Sequence, residues 1–505
     1  METKGKSALE LIIIIKCGYI YFICLKKPTM VKIICLHKFF CPQMFKPNEE
    51  KQLGPRLGIS IWFLAAIFFA VMFFVIVNVS NTWNSFTIYA TLSWSFGMPI
   101  VVVSFLGAVR SRSLKLSSYT GRISNLIVFQ IPTIGSPEVL GALYRVVDSI
   151  LKHAPKNLDN WRVDVVTEEY SRALNEIRDH YSFDSHVNIV VVPKGYETVN
   201  NSINKSRAMQ YGLEYHIEKG EVDDQIWYFH LDDDASIGPD TVAAIAEHIK
   251  YKGEKYYIAQ GILAFPHHLS KSIIAKFADS MRPTDDLTRF YFFTSLVKIP
   301  LVGLHGENLL VRSDIEAQIG WDNGNRPISD DSCFGLRFSE KFPGKSSFLP
   351  AFTYGASPST VRDMLRQRRR WLVDLTNLGL FGPLPWKYRL IFIYSVLFWS
   401  SMVTQNIILV AMILQFFHLI TFTLITPPMG VMWAFTFSFW IWFYWNGLHI
   451  NNSVSENPTP FWKNALLMIP LFFLVIGPLE FIGGAWGILA FVRNDRKFEV
   501  ISKPS

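Results

Sequence analysis

The chain has 505 residues and a net charge of +8, and half of its residues are hydrophobic. With 41 Phe, 15 Trp and a mean hydropathy of +0.22, it is too apolar and aromatic for an ordinary water-soluble protein, so we expect it to lie in a membrane. A nucleic-acid partner is not expected, because the basic residues cluster beside apolar segments instead of interleaving with aromatic residues on one soluble face.

The first 56 residues are interpreted as an N-terminal leader. Leu11–Ile15 and Cys17–Leu25 are apolar, but Lys16 separates them and each is too short to cross a membrane. No small-residue cleavage site follows, and Met44 is an alternative start of translation. Four of the five cysteines precede Met44, and their spacing predicts neither a disulfide framework nor a zinc site.

Five apolar segments are predicted to cross the membrane. The first has no charged residue and is long enough for about 30 Å of hydrocarbon. In chain order they are Leu57–Val79, Phe86–Val109, Leu390–Phe416, Met429–His449 and Ala465–Val492. The first two form a predicted hairpin over residues 57–109, and the last three form a C-terminal transmembrane region over residues 390–492.

Basic residues set the expected orientation. Lys51 and Arg56 precede the hairpin and Arg110 and Arg112 follow it, so the positive-inside rule predicts that both ends, and the polar stretch after them, lie in the cytosol. Three further crossings would leave the basic tail, residues 493–505, outside. Either the last apolar segment is re-entrant or doubled, or residues 390–425 form two short passes.

The polar middle, residues 120–385, is predicted to be an α/β domain with a largely parallel sheet, because short apolar runs alternate with amphipathic segments. The predicted strands are Leu126–Ile131, Val163–Thr167, Val187–Val192, Ile226–Leu231 and Tyr257–Gly261. The predicted helices are Pro137–His153, Ser171–Tyr181, Ser202–Glu218 and Asp240–Lys250.

Asp232-Asp233-Asp234 follows the fourth predicted strand, at the edge of a parallel sheet where ligands bind. Three adjacent carboxylates favour a hard cation such as Mg²⁺ or Mn²⁺, whose open positions go to a phosphate-bearing substrate. The alternative is a solvated acidic turn. An EF-hand does not fit, because its Asp spacing and distal Glu are absent.

Other predicted strand ends carry polar residues that face the same edge. Glu168 follows the second strand and could wall a base or ribose pocket, although a solvated turn at Glu168-Glu169 is an equal alternative. Lys205 and Arg207 open a helix, where cations oppose the helix dipole, so a role in binding phosphate is favoured.

Two later clusters complete the candidate site. Asp330-Asp331 precedes an amphipathic helix; Ser329 or Asp330 could cap it, which leaves Asp331 to take a proton from an attacking hydroxyl. Further on, Gln367, Arg370 and Trp371 fall on one helical face. An Arg fork suits a diphosphate and a Trp face suits a sugar ring. Arg366 and Arg369 lie on another side, where lipid phosphates could bind them.

Together these motifs resemble those of the membrane-bound family 2 glycosyltransferases with a GT-A catalytic domain. Asp232-Asp233-Asp234 matches the Asp-x-Asp motif of that family, Ser329-Asp330-Asp331 its Thr-Glu-Asp type motif, and Gln367-Arg368-Arg369-Arg370-Trp371 its Gln-x-x-Arg-Trp motif. Within the family, Ala259-Gln260-Gly261-Ile262 and Phe277-Ala278-Asp279-Ser280 are similar to segments of the egghead-type β-1,4-mannosyltransferases. His305-Gly306-Glu307-Asn308 departs from that pattern, as do Glu168 and Asp330.

The resemblance implies a site. A nucleotide sugar, GDP-mannose or a UDP-hexose, would be held by Glu168, Lys205, Asp232 and Asp233, and Mg²⁺ or Mn²⁺ would be bound by Asp234 and Asp232. Asp331 would be the general base, and Arg370 would stabilise the leaving diphosphate. The acceptor would contact Glu307, Gln367 and Trp371.

We therefore expect an inverting glycosyltransferase that moves a hexose such as mannose from a nucleotide sugar to a lipid-linked or glycolipid acceptor at the cytosolic face. A processive polysaccharide synthase would use the same chemistry. A transporter or channel with a nucleotide-sensing domain is the third interpretation. It is disfavoured, because the predicted spans contain few polar residues beyond Glu480, Gln405 and Asn406.

Overall fold

The computed structural model describes residues 10–16, 19–25, 33–35, 58–76, 85–420, 427–495 and 501. Met1–Lys51 and Gln52–Ser505 form two compact units. In the first unit, strands β1 (Glu10–Lys16), β2 (Tyr19–Leu25) and β3 (Ile33–Cys35) form an antiparallel sheet in the order β1-β2-β3. The first apolar run of the predicted leader lies in β1, and the second lies in β2 from Tyr19 onward; Cys17 and Met44 lie outside the described residues.

The second unit begins with three apolar helices, α1 (Ile59–Ile76), α2 (Ser85–Ser95) and α3 (Met98–Ser111). They occupy the predicted hairpin. Within the described part of the chain, one helical stretch, Thr91–Ser111, is long and apolar enough to cross a bilayer, and Ile59–Val71 and Gly477–Val492 are shorter apolar helices. The arrangement with five crossings stays a prediction.

A mixed eight-stranded sheet forms the centre of the second unit, in the order β6-β5-β4-β7-β10-β9-β11-β8. The strands are β4 (Ile123–Pro132), β5 (Leu158–Glu168), β6 (Val187–Val192), β7 (Ile226–His230), β8 (Ser236–Ile237), β9 (Ile258–Ala264), β10 (Leu309–Arg312) and β11 (Ser346–Tyr354). Strands β6, β5, β4 and β7 are parallel, whereas β10 is antiparallel to both β7 and β9. Strands β9 and β11 are also parallel, whereas β8 is antiparallel to β11. The sheet is therefore mixed, and the prediction of a largely parallel sheet holds for four of the seven pairings between these eight strands.

Of the next nine described α-helices, six pack on the two faces of this sheet and three pack mainly against the apolar helices. They are α4 (Leu140–His153), α5 (Leu174–Tyr181), α6 (Asn204–Glu218), α7 (Pro239–Lys252), α8 (Ile273–Ala278), α9 (Arg282–Asp285), α10 (Ser313–Ile319), α11 (Asp330–Lys341) and α12 (Val361–Phe381). Apolar residues of α4, α5 and α7 pack in one core, and those of α6, α10 and α11 pack in a second core on the opposite face. This three-layer arrangement confirms the predicted α/β class.

The remaining helices follow α12. They are α13 (Trp386–Phe416), α14 (Pro427–Ser453), α15 (Phe461–Leu471) and α16 (Gly477–Val492), and a π-helical turn, Phe472–Ile476, joins the last two. Because α13 is continuous, the alternative with two short passes is wrong over the described residues. Helix α16 packs closely on α12, since a Cβ added at Gly483 or Gly487 would lie 2.6 Å from Arg368 Cβ or 2.8 Å from Leu372 Cβ.

Candidate active site

The parallel strands bring their polar ends to one edge of the sheet. Pro132 pairs with Val166 and Gln130 pairs with His230, so the residues just beyond β4, β5 and β7 end side by side. Thr133 Oγ1 donates a hydrogen bond of 2.6 Å to Asp233 Oδ2. The aspartate triplet is therefore fixed beside the end of β4, as expected for a ligand-binding edge.

Glu307 reaches this edge through the antiparallel strand β10. Leu309 pairs with His230, so the segment before β10 lies against the segment after β7, and Glu307 shares a hydrogen bond with Asp232. Burial and the adjacent Asp232 carboxylate raise the pKa of Glu307 well above its usual range. Negative charge is thus crowded here, which favours a bound cation.

Lys205 links the triplet to the second acidic cluster. Its Nζ lies 2.6 Å from Asp232 Oδ1 and 3.4 Å from Asp331 Oδ1. Burial lowers the pKa of Lys205, but the carboxylates of Asp232 and Asp331 outweigh that effect and the net shift is upward. The ammonium group is therefore charged, and it joins two carboxylates that are far apart in sequence.

Asp330 and Asp331 begin helix α11 with different surroundings. Ser329 is the N-cap residue but makes no side-chain capping bond, and Asp330 accepts a hydrogen bond from Ser206 of helix α6. Burial raises the pKa of Asp330 to about 6. Asp331 lines the cavity, and its Oδ1 makes no hydrogen bond to any described residue although Lys205 Nζ lies 3.4 Å away, so the carboxylate faces the space where a proton donor would bind.

Gly306 lies directly against Asp331 and Lys205 in the site. A Cβ at this position would overlap Asp331 Oδ1 and would lie 2.5 Å from Lys205 Nζ. Only a residue without a side chain allows the backbone before Glu307 to pass so close to the charged groups. Sequence reasoning did not identify this role, because Gly306 has no motif of its own.

Helix α12 brings its candidate motif to the same cavity. Gln367, Arg370 and Trp371 all line the cavity, and so does Asp374, one turn after Arg370. Burial raises the pKa of Asp374 to about 7, and the positive charge of Arg370 opposes this shift. Sequence reasoning missed Asp374, although its spacing of four residues from Arg370 was a usable signal.

Two arginines of this motif are buried. Arg368 donates to Glu480 Oε1 at 2.8 Å and to Asp279 Oδ1 at 3.0 Å, and Arg369 is 4% exposed and pairs with Asp495. The prediction that Arg369 meets lipid phosphates is therefore wrong: its charge is neutralised inside the protein. Arg366, by contrast, is partly buried and 3.3 Å from Asp363.

Glu168 is paired as well. Its Oε2 accepts a hydrogen bond from Arg207 Nη1, and Arg207 also donates to the carbonyl oxygens of Pro193 and Tyr196. The pair fixes the loop after β6 at the edge of the cavity. Arg207 is thus neutralised by Glu168, whereas the sequence favoured a phosphate for it.

One cavity of about 720 Å³ connects these groups. Its polar part is lined by Glu168, Lys205, Glu307, Arg370 and Asp374, together with Asp232, Asp234 and Asp331. Its apolar part lies among the C-terminal helices and is lined by aromatic residues, which include Phe398, Trp399, Phe437, Trp440 and Phe443. The cavity therefore joins a charged site to a hydrocarbon-like interior.

The donor set fits a hard divalent ion that shares its ligands with a substrate. No described group of three or more His, Cys, Asp or Glu side chains is arranged to hold a metal by itself. Asp232 and Asp234 nevertheless place two carboxylates beside the electrostatically crowded Glu307, and Mg²⁺ typically takes one or two protein carboxylates together with substrate phosphates. These aspartates could hold such an ion.

The chain is similar to known sugar-transferring enzymes. Residues 227–450 match the model of the family described as Glycosyl transferase family group 2. The Beta-1,4-mannosyltransferase egh of Drosophila melanogaster is 29% identical over 259 residues, which are 50% of this chain and 54% of egh. The Beta-1,4-mannosyltransferase bre-3 of Caenorhabditis elegans is 24% identical over 281 residues, 55% of this chain and 59% of bre-3.

The chain thus spans little more than half the length of these curated relatives. Among solved structures, a mannosyltransferase of Pyrobaculum calidifontis in complex with GDP-Man and Mn²⁺ aligns with 81% of this chain and 98% of its own. That alignment has 12% sequence identity and a TM-score of 0.45.

Proposed function

Because residues 227–450 of this chain match the model of the family described as Glycosyl transferase family group 2, we propose that the protein is an inverting hexosyltransferase. It transfers one hexose from a nucleotide sugar to a lipid-linked or glycolipid acceptor at the cytosolic face of a membrane. The mannosyltransferase names of the relatives make GDP-mannose the first donor to test.

Asp331 is the proposed general base. The acceptor hydroxyl oxygen bonds to the anomeric carbon while the bond from that carbon to the diphosphate oxygen breaks. The hydroxyl proton passes to an Asp331 carboxylate oxygen, and the electron pair leaves with the nucleoside diphosphate. Attack opposite the leaving group inverts the configuration. Lys205 supports this role, since its Nζ lies 3.4 Å from Asp331 Oδ1 and positions the carboxylate.

The donor is proposed to bind at the polar end of the cavity. Glu168 and Thr133 flank the space for the nucleoside, and Lys205 and Asp233 are close to the diphosphate. A divalent ion bound by Asp232 and Asp234 would supply charge neutralisation for the diphosphate. Arg370 would bind the leaving group, while Gln367 and Trp371 would face the acceptor sugar and Glu307 would lie between donor and acceptor.

The proposal of a lipid acceptor depends on one observation, which is that the polar and the aromatic parts of the cavity are continuous. Carboxylates and an aromatic lining share one space of about 720 Å³, so an amphipathic molecule could place its sugar beside Asp331 and its hydrocarbon among Phe398, Phe437 and Phe443. Burial of a hydrocarbon chain stabilises binding by about 0.8 kcal/mol for each CH₂ group. A free sugar would leave that part of the cavity unused.

Outward-facing apolar side chains support membrane insertion. Ile67, Phe68, Leu106, Ile407 and Leu466 are large and exposed on the helices outside the sheet domain. An apolar surface of this kind is unfavourable in water and favourable in hydrocarbon. In the proposed topology, the chain crosses the membrane several times and the sheet domain faces the cytosol.

Product analysis tests the proposal. Purified full-length protein would be incubated with labelled GDP-mannose or a UDP-hexose, Mn²⁺ and membrane lipids, followed by chromatography of the lipid and polymer fractions. We expect one sugar added to a lipid. A long polymer would favour a processive synthase, and the absence of transfer from every donor would contradict a transferase.

Replacement of the base tests the mechanism separately. Asp331→Asn keeps the shape of the side chain but cannot accept the proton, so transfer should fall by about 10²–10⁴-fold. Nucleoside diphosphate binding, measured by calorimetry, should be largely unchanged. Asp179→Asn is the matched control, because the Asp179 side chain is exposed on the surface of α5. Wild-type turnover of Asp331→Asn would rule out the assigned base.

A further inference from the structure

Arg282 occupies a place in the cavity that the motifs do not explain. It begins helix α9, directly after the 3-10 turn Asp279–Met281, and it lines the cavity together with Asp232 and Glu307. The carbon at the centre of its guanidinium group lies 4.2 Å from the centroid of the Trp371 ring. The stack fixes the plane of the group beside the candidate motif of α12.

The charge of Arg282 is not neutralised by the described part of the protein. Lys205, Arg289, Arg368 and Arg369 each have a carboxylate within ion-pair distance, and Arg370 interacts electrostatically with Asp374. No described residue forms a hydrogen bond or an ion pair with the Arg282 guanidinium. Its N–H groups therefore face the cavity, ready for an anion.

Glu307 gives a second indication of where this charge acts. Arg282, Glu307 and Asp232 line the same cavity, and Arg282 interacts electrostatically with Glu307. The electrostatic field of Arg282 therefore reaches the carboxylate that lies against the aspartate triplet. A group bound between Arg282 and the triplet would be close to both.

We propose that Arg282 binds the diphosphate of the donor and holds it as the bond to the anomeric carbon breaks. This assignment rests on the proposed transferase function. The planar fork of an Arg side chain matches two oxygens of one phosphate, and an unneutralised cation prefers an anion to the neutral hydroxyl groups of an acceptor sugar. Negative charge grows on the diphosphate during transfer, so the same contact strengthens along the reaction.

Calorimetry with nucleotides alone tests this assignment without the reaction. GDP, UDP, GMP and UMP would be titrated, with Mn²⁺, into the full-length protein and into Arg282→Gln and Arg282→Lys. Diphosphate affinity of the Gln variant should fall by about 10- to 100-fold, the range expected for a charged hydrogen bond, with monophosphate affinity nearly constant. Arg282→Lys should recover part of the loss, because it keeps the charge but not the fork.

Arg326 provides the matched control. It stacks on Phe381 with the same distance of 4.2 Å between its guanidinium carbon and the ring centroid, and it is not among the residues that line the main cavity. Arg326→Gln should leave the affinity for all four nucleotides unchanged.

Three results would overturn the assignment. Unchanged diphosphate affinity with a higher acceptor KM would place Arg282 at the acceptor. Equal losses for diphosphates and monophosphates would place its effect at the nucleoside or in the fold, which the melting temperature would also report. A wild-type protein that binds none of the nucleotides would refute the proposed function, and this assignment with it.

Discussion

Lys205 joins carboxylates that reach the site from different parts of the chain. Asp232 follows strand β7 and Asp331 begins helix α11, yet both lie within ion-pair distance of Lys205 Nζ. One ammonium between two carboxylates leaves a net negative charge. This excess of carboxylate charge over Lys205 favours the binding of a divalent ion beside Asp232.

Acidic clusters of this kind can be recognised in the sequence, because adjacent carboxylates repel one another unless a cation or solvent compensates their charge. Asp232 and Asp331 were identified in this way, and the structure brings them together. Gly306 and Arg282 could not be identified, since a single Gly or Arg outside a motif has no pattern. Their significance comes only from what the folded chain places next to them.

Gly306 provides a sharp prediction at this scale. In Gly306→Ala the new methyl group would collide with Asp331 and Lys205, so both should be displaced and turnover should fall by about 10²-fold. Steady-state kinetics and thermal melting would measure the change. Gly195→Ala is the matched control, because a Cβ there meets nothing within 4 Å. Unchanged turnover of Gly306→Ala would mean that the loop moves away without cost.

The raised pKa of Asp374 predicts that the stability of the protein depends on pH. Burial raises its pKa to about 7 from the ordinary value of 3.8, so between these values the folded protein binds a proton that the unfolded chain has released. Its stabilising contribution is complete below the unfolded pKa and is lost as the pH rises through 7, at no more than about 1.4 kcal/mol per pH unit.

Asp374→Asn removes this titration. The wild-type melting temperature should fall relative to that of the variant as the pH increases from 4 to 8, and the two proteins can be compared by thermal unfolding in the same buffers. A constant difference between them across this range would contradict the raised pKa.

Among the elements, strand β10 determines the geometry of the site. The sequence predicted the parallel strands β4 to β7 and the helices between them, because their apolar runs and amphipathic spacing are clear. It did not predict the four-residue β10, which is too short to give a periodic signal. Glu307 lies beside Asp232 only because β10 reverses direction next to β7, so its surroundings could not be deduced from a parallel sheet.

Helices α12 and α16 are joined by a buried ionic cluster. Arg368 is fully enclosed between Glu480 of α16 and Asp279, and a buried charge needs such partners. The cluster fixes α12, and with it Trp371, whose ring lies 4.5 Å from the Arg368 guanidinium carbon.

Arg368→Met tests this cluster. It leaves two carboxylates with no cation between them, and the free energy of unfolding should fall by about 3–5 kcal/mol. The exposed pair Arg122–Asp159, with side chains 52% and 49% exposed, gives the control, since Arg122→Met should change stability by less than about 1 kcal/mol. Similar melting temperatures of the two variants would contradict a structural role for the buried cluster.

At the scale of the whole molecule, polar contacts connect the predicted sheet domain to the predicted membrane region. Asn451 Oδ1 accepts a hydrogen bond of 2.8 Å from the backbone of Phe265, and Ser455 Oγ accepts one of 2.7 Å from that of His267. Hydropathy divides the chain near Arg389, but it contains no information on contacts between distant segments. The segment boundaries 120–385 and 390–492 therefore stay predictions, and the two segments share one compact unit.

A fragment of residues 110–385 should fail to fold for this reason. It would lose Glu480 and Asp495, the partners of Arg368 and Arg369, and an unpaired buried charge costs about 3–5 kcal/mol of a total stability near 5–15 kcal/mol. We expect aggregation in size-exclusion chromatography and no binding of GDP or UDP. A monodisperse fragment with the nucleotide affinity of the full chain would contradict this expectation.

The close packing at Gly483 and Gly487 has a mechanical consequence. Helix α12 is in close contact with α16 at these two points, so a tilt of α16 would displace α12, which carries Arg370 and Trp371. In the proposed membrane setting, the thickness of the surrounding lipid would therefore change the alignment of donor and acceptor, and with it the rate of transfer.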